Sequence, residues 1–425
     1  MFFFYNLLIN LFYPLFIILI YVRKFFNKED KVKFTEKIYK SYNFLSLNDK
    51  KKLYWFHGAS LGEVSSAIPI IEFLSKKKNV NILITSLTLS SGKLIQKRFS
   101  KVQNISHQYL PYDKKDLINH FLNYWSPNFV IFIDSEVWPN FFKEINFRKI
   151  PLVLLNGRIS DKATNRWLIL KSFSSKIFSY IDLCLAANNS SKKNLKQLGV
   201  KNIKYIGNLK FFSKKNKTEN LKSFTVKSIK KRMVWCAAST HSGEEQICLE
   251  IHKTLLNKFN NLLLVIIPRH LNRVNEITSI CQNLNLKFQI FSENDEKIIK
   301  RDTKVLVVNT FGQLQKYFNY CKKVFIGKSL LQKFNNSGGQ NPLEAVYCGC
   351  KVYHGPYISN FDEIYKYLNL KKISAEVKDS QELLKKLSLD FNNKRSKNNK
   401  RYKKIENYGT KILNSSIKEI LKLEK

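Results

Sequence analysis

A rhythm of short, continuous apolar runs separated by longer helical patterns limits this chain to very few folds. Residues 53–57 (LYWFH), 81–86 (NILITS), 129–134 (FVIFID), 151–156 (PLVLLN) and 183–187 (LCLAA) read as strands buried on both faces. Segments such as 63–75 and 114–124 read as helices between them. The rhythm breaks over 213–231, a polar and basic stretch suited to a linker, and restarts at 233–239, 262–268, 304–309, 322–327 and 350–355. Strand and helix in alternation predict a parallel sheet wound on both faces, and a chain of 425 residues exceeds one ordinary core. The expected fold class is therefore α/β, with two Rossmann-like doubly wound domains facing a cleft. One domain spans 27–212 and the other 232–425, the second including a lysine-rich helical tail after 390. Ligands in such sheets sit beyond the carboxyl ends of the strands.

Residues 1–22 carry no charged side chain. As a helix they rise about 33 Å, roughly the hydrocarbon thickness of a bilayer. Asn6, Asn10 and Pro14 interrupt the run, so both a spanning and an interfacial insertion are open, and a buried soluble helix is the third reading. Arg23, Lys24 and Lys28 follow at once, which by the positive-inside rule places the body in the cytoplasm. No basic stretch precedes the apolar run and no small-residue cleavage site follows it, which disfavours a cleaved signal peptide. The expectation is a membrane-anchor helix over 1–26.

Lysine and arginine number 73 against 32 acidic residues, a net charge of +41. Such a surface suits anionic lipid, phosphorylated substrates or nucleic acid. The lysines are scattered rather than set in an aromatic-interleaved stripe, which disfavours nucleic acid. A chain crowded with Lys, Asn, Ile and Phe also carries excess charge through compositional bias alone. The seven cysteines form no CxxC pair and no even framework, so they read as buried hydrophobes in a reducing compartment.

Chemistry is expected where strands run into loops. In HGASLGE (57–63), Glu63 falls near a helix N-terminus whose partial positive charge favours its ionised form. It is either a general base acting on an alcohol or a plain first-turn glutamate. DSEVWPN (134–140) puts Asp134 and Glu136 at another strand end; one reading is a metal site, the other a pair that positions base or donor and makes structural hydrogen bonds. Lys210, in GNLK (207–210), suits a phosphate or a departing oxyanion, against the default of a solvated surface lysine. In the second half, Ser239 or Thr240 can cap a helix whose amides hold phosphate, and Arg269 in PRH suits bidentate phosphate contact. Thr310 to Gln313 follow another strand. Gly338 and Gly339 precede a helix with Pro342 expected at its first position and Glu344 available to ribose hydroxyls. Four such loops in one domain look like a nucleotide site.

HGASLGE, TSLTLSSG (85–92), YLPYD (109–113), DSEVWPN, LNGRIS (155–160), GNLKF (207–211), AASTHSGEE (237–245), PRH (268–270), NPLEA (341–345) and HGPYISNF (354–361) stand in the order found in transferases of 3-deoxy-D-manno-octulosonic acid (Kdo), which the chain resembles over roughly residues 50–365. The resemblance implies a GT-B fold and an inverting, metal-independent transfer of Kdo from CMP-Kdo to the lipid A precursor lipid IVA, with no cofactor. It implies a bacterial inner-membrane enzyme with its catalytic domains on the cytoplasmic side. Glu63 matches the family's general base for the acceptor 6′-hydroxyl, with Ser60 beside it; Asp134 and Lys210 match groups that stabilise charge as CMP leaves, a role Glu136 shares. Pro268, Arg269, Phe311, Gly312, Gln313, Asn341, Pro342, Leu343 and Glu344 match the segments that hold CMP, and Ser239 and Thr240, read from their own loop, complete the expected donor-binding set. The chain departs from the family pattern at Asp134 and Gln313, where glutamate is usual, at Lys328, where glycine is usual, and at Gln340, where histidine is usual. Transfer of a different nucleotide-activated sugar by the same architecture, or a membrane-tethered module that binds anionic polymers, are the alternatives.

Overall fold

Burial on both faces makes the apolar runs into central strands. In the computed structural model, which describes residues 1–40, 51–212, 221–292, 298–310, 312–393 and 399–423, they build two seven-stranded sheets. The first comprises β1 (Lys52–His57), β2 (Val80–Ser86), β3 (Ile105–Tyr109), β4 (Phe129–Ile133), β5 (Leu152–Gly157), β6 (Leu183–Ala186) and β7 (Ile203–Tyr205). All pair in parallel, in the order β3-β2-β1-β4-β5-β6-β7. The chain winds outward from β1 to one edge and then from β4 to the other, so the winding reverses between β1 and β4. A crevice opens at the carboxyl ends of strands flanking such a reversal. Aromatic packing fixes the strands beneath it: Trp55 lies 4.8 Å from Phe121 and 5.3 Å from Phe132 between ring centroids.

The second sheet comprises β8 (Met233–Thr240), β9 (Leu262–Pro268), β10 (Phe288–Ser292), β11 (Val305–Asn309), β12 (Lys323–Ile326), β13 (Lys351–His354) and β14 (Ser374–Glu376). It is also parallel, in the order β10-β11-β9-β8-β12-β13-β14, with its reversal between β8 and β12. Gly327, just after β12, is obligatory: a Cβ there would stand 2.6 Å from Thr240 Cα and 2.7 Å from Ser239 O.

The chain divides into two compact units, Met1–Phe212 with Gly409–Lys425, and Ser213–Tyr408. The final helix, Asn399–Lys422, is thus shared, and its second half belongs to the first unit instead of the second as the sequence reading had it. Lys204 and Glu419 pair at 2.5 Å there. Residues 213–220 of the expected linker lie outside the described residues, and Ser223–Lys230 within it is a helix. At the other end, Phe2–Phe25 is a helix of 24 residues, long and apolar enough to cross a membrane.

Candidate active site

The helix Leu61–Leu74 starts with a capping box that fixes Glu63. Ser60 Oγ donates to Glu63 Oε1 at 2.8 Å, and the amides of Ala59 and Ser60 donate to Oε2 at 2.7 and 3.3 Å. Both readings of Glu63 thus meet in one residue, since a capping carboxylate also stands at the carboxyl end of β1, beside the reversal. Burial pushes its carboxyl up; the Ser60 hydroxyl opposes this, and the negative charges of Glu136 and Asp134 add to it. A glutamate raised in this way is a stronger proton acceptor than an ordinary one.

Asp134 follows β4 with a φ of +61°, a left-handed backbone that Asp tolerates better than most residues but that stores strain of the kind found at functional sites. Three contacts hold it there. Its amide donates to Leu155 O at 2.9 Å, its carbonyl accepts from Arg158 N at 3.0 Å, and the Asn156 side-chain amide donates to its Oδ1. Its Oδ2 lies 3.5 Å from Lys210 Nζ, so Lys210 is not the solvated lysine of the default reading. Asn208 and Asn156 place that lysine: Asn208 Oδ1 accepts from Lys210 N at 3.0 Å, and Asn156 Oδ1 accepts from Leu209 N at 2.9 Å. Asn156 therefore ties β5, Asp134 and the lysine segment together. Sequence reasoning missed it as a site residue; an asparagine closing a fully buried strand was the available signal.

Glu136 accepts from the Trp138 indole at 2.9 Å and lies 3.5 Å from His57 Nε2, at the limit of hydrogen-bonding distance. Burial would raise its carboxyl, but His57 and Trp138 outweigh burial and hold it below the usual glutamate range. The wholly buried His57 is held from its other side by Thr85 Oγ1 at 2.9 Å. The first unit thus gathers Ser60, Glu63, Asp134, Glu136 and Lys210 at one strand-end crevice. It contains one carboxylate raised toward basicity, one kept ionised, and an ammonium.

In the second unit the expected residues lie at the carboxyl ends of neighbouring strands: Ser239 and Thr240 at β8, Pro268 and Arg269 at β9, Gly312 and Gln313 after β11. Asn341 to Glu344 open the short helix Leu343–Tyr347. Phe311 lies outside the described residues. The buried hydroxyls of Thr240 and Thr310 have no hydrogen-bond partner among the described residues, so polar groups point inward at the ends of β8 and β11. Burial raises the Glu344 carboxyl.

Three expectations need correction. Ser239 and Thr240 do not cap: the helix Glu244–Leu256 starts from Gly243, with φ of +87° and no side-chain cap, because Ser239 and Thr240 are still strand. Pro342 is the N-cap residue rather than the first helical position. Leu343 is core, 2% exposed, and its amide already donates to Asn341 Oδ1 at 3.1 Å.

Sequence reasoning also missed the part played by Glu244. Its carboxylate is wholly buried and accepts from the amides of His241 (3.1 Å), Lys328 (2.6 Å), Ser329 (2.9 Å) and Leu330 (3.2 Å). It brackets the β8 turn to the β12 loop, across the second reversal. The adjacent Glu245 is equally buried and takes a bidentate contact from Arg273 at 3.0 and 3.1 Å.

Comparison with known proteins bears on the chemistry. Residues 33–213 match the profile of the family described as 3-deoxy-D-manno-octulosonic-acid transferase (kdotransferase). A 3-deoxy-D-manno-octulosonic acid transferase from Rickettsia bellii is 31% identical over 91% of this chain and 90% of its own length. One from Rickettsia felis is 33% identical over 80% and 71%, and one from Haemophilus influenzae 31% identical over 74% and 73%. The chain belongs to the Kdo transferase family.

Solved structures agree on the architecture. A UDP-GlcNAc 2-epimerase from Neisseria meningitidis bound to UDP-GlcNAc superposes with a TM-score of 0.57 at 15% identity, covering 88% of this chain and 100% of that one. A UDP-N-acetylglucosamine 2-epimerase from Listeria monocytogenes gives 0.54 at 11% identity, covering 85% and 91%. The fold is GT-B. Lys328 has a φ of +57°, a left-handed backbone that glycine adopts without strain and lysine does not.

Proposed function

We propose that this chain transfers Kdo from CMP-Kdo to lipid IVA at the cytoplasmic face of a bacterial inner membrane, with inversion and without a metal ion. The observation that carries the reading is the raised Glu63 carboxylate beside the Asp134–Lys210 pair at the first reversal. Glu63 takes the proton from the acceptor 6′-hydroxyl. The freed oxygen attacks the anomeric carbon from the face opposite CMP, and the bond from that carbon to the phosphate oxygen breaks with its electron pair on CMP. Lys210, oriented by Asp134, offers a positive charge to the departing phosphate, the task a metal ion performs elsewhere. Arg269, Thr240, Gly312, Gln313, Asn341 and Glu344 hold the nucleotide sugar on the second unit. The helix Phe2–Phe25 and its basic flank keep the enzyme at the lipid surface where its acceptor resides.

The test is to incubate purified full-length protein with CMP-Kdo and lipid IVA and to weigh the lipid product. A mass increase of one or more Kdo residues is expected, blocked by excess CMP but not by UDP or GDP, and undiminished by EDTA. An unchanged lipid mass, or turnover of a UDP- or GDP-sugar instead, would refute the donor assignment.

A further inference from the structure

The residues of the helix Phe2–Phe25 fall into two sides. Phe2, Tyr5, Asn6, Ile9, Tyr13, Phe16, Ile17, Ile20, Arg23 and Lys24 are at least half-buried, a stripe at helical spacing that runs from one end to the other. Apart from Asn10 and the Tyr21 hydroxyl, the remaining surface is exposed and apolar, including Phe4 (62%), Leu11 (66%) and Ile18 (59%).

The buried stripe is docked on the first unit along its whole length. Phe2 packs on Phe173 with centroids 5.0 Å apart, and Lys143 lies over its ring at 4.9 Å. At mid-helix, Phe16 stacks on Tyr112 at 4.2 Å and Lys114 lies over Tyr13 at 5.1 Å. At the far end Ile20 is buried with Phe34 and Ile38. A polar ladder fastens the first turns. Tyr5 donates to Asp113 Oδ2 at 2.7 Å, and Asn6 Oδ1 accepts from Asn140 Nδ2 at 2.7 Å. Asp113 in turn accepts from the amides of Asn140 and Phe141 at 3.0 and 3.1 Å.

This geometry does not suit a spanning helix. The 24 residues rise about 36 Å, so spanning would put the body beside Phe2 and the body beside Lys24 on opposite sides of the hydrocarbon. The partly exposed Lys114 would lie at membrane depth, a cost of several kcal/mol for a charged group. We infer that the helix lies in the plane of the membrane interface, docked on the first unit by its Tyr5–Asp113–Asn140–Asn6 ladder and sinking only its outer apolar face into an anionic leaflet. The exposed Lys28 and Lys31 that follow the helix complement that leaflet. The ladder also links membrane to chemistry, because Asn140 opens the helix Pro139–Phe147 that directly follows Trp138, the partner of Glu136. The site carboxylates are thereby set at a fixed height above the lipid. This inference rests on the proposed membrane association but not on the identity of the sugar.

Nitroxide depth measurement tests it. Phe4→Cys, Leu11→Cys and Ile18→Cys, each in the full chain carrying Cys348→Ser to remove the partly exposed native thiol, are spin-labelled and bound to vesicles of mixed zwitterionic and anionic phospholipid. Collision with oxygen and with a water-soluble nickel complex then reports depth. All three labels are expected at one shallow depth, about 5–10 Å below the headgroups. A deep Leu11 label with the other two rising toward opposite headgroup layers would overturn the inference while leaving the membrane reading intact. Failure of the chain to sediment with the vesicles would overturn both. Failure of Kdo transfer with three equal shallow depths would tell against the proposed reaction and leave the lying helix standing.

Discussion

Glu63 and Glu244 stand at matching places: each opens the helix that follows the first strand of its sheet, beside the reversal of the winding. Their surroundings differ. Glu63 is part-exposed, shares its space with two other carboxylates, and among the described residues has only its own capping turn for hydrogen-bond partners. Glu244 is wholly buried and saturated by four amides, three of them from a loop more than 80 residues away. Burial raises both carboxyls, so the direction of a pKa shift does not separate a reactive acid from a structural one. The number and origin of the hydrogen-bond donors does.

Substitution should expose the difference. Glu63→Gln is expected to lower the rate of transfer by about 10²- to 10⁴-fold. The midpoint of chemical denaturation should stay where it was, since glutamine also completes a capping box; activity within a few-fold of the parent chain would end the case for a base. Glu244→Ala should do the reverse and destabilise the protein by about 3–5 kcal/mol, as four amides lose their acceptor. If denaturation curves showed Glu63→Ala costing as much, rather than the roughly 1 kcal/mol of a lost cap, the two residues would be doing one job.

A smaller effect is expected of Asn156→Asp, which replaces the amide that donates to Asp134 with a like charge. Loss of about 1–3 kcal/mol of placement corresponds to a roughly 10- to 100-fold lower kcat, and an unchanged kcat would free Lys210 from any dependence on this tie. The mildest test is the pH profile. A base must be ionised, so activity should fall as pH drops through the carboxyl pKa of Glu63, which lies above the ordinary glutamate value of 4.5. Removing the neighbouring charge by Glu136→Gln should move that acid limb to lower pH, and a shift upward would contradict the assigned direction.

The central strands were legible because each is an unbroken apolar run. The four strands the sequence did not announce, β3, β7, β10 and β14, are the edges of the two sheets. ISHQY, IKY, FQIFS and SAE cover only one flank against protein and are partly exposed, so they carry no continuous apolar signal. Glu63, Asp134 and Lys210 were legible from their ordered motifs. Asn156 and Glu244 were not, since each acts through partners dozens of positions distant, and neither periodicity nor spacing reports such a closure. The tail helix failed for a related reason: amphipathic spacing shows that a face will be covered, not which unit will cover it.

The Glu244 bracket also has a consequence in time. His241 is at hand as soon as the turn exists, but the other donors, Lys328 to Leu330, are made 84 to 86 residues later. Until they arrive, this acid is tied at one point only, and closing so long a loop is an entropic cost met before the contacts reward it. The β8 turn and β12 loop should therefore be among the last parts of the second unit to gain protection from hydrogen exchange during refolding, well after β8 and β9 have paired.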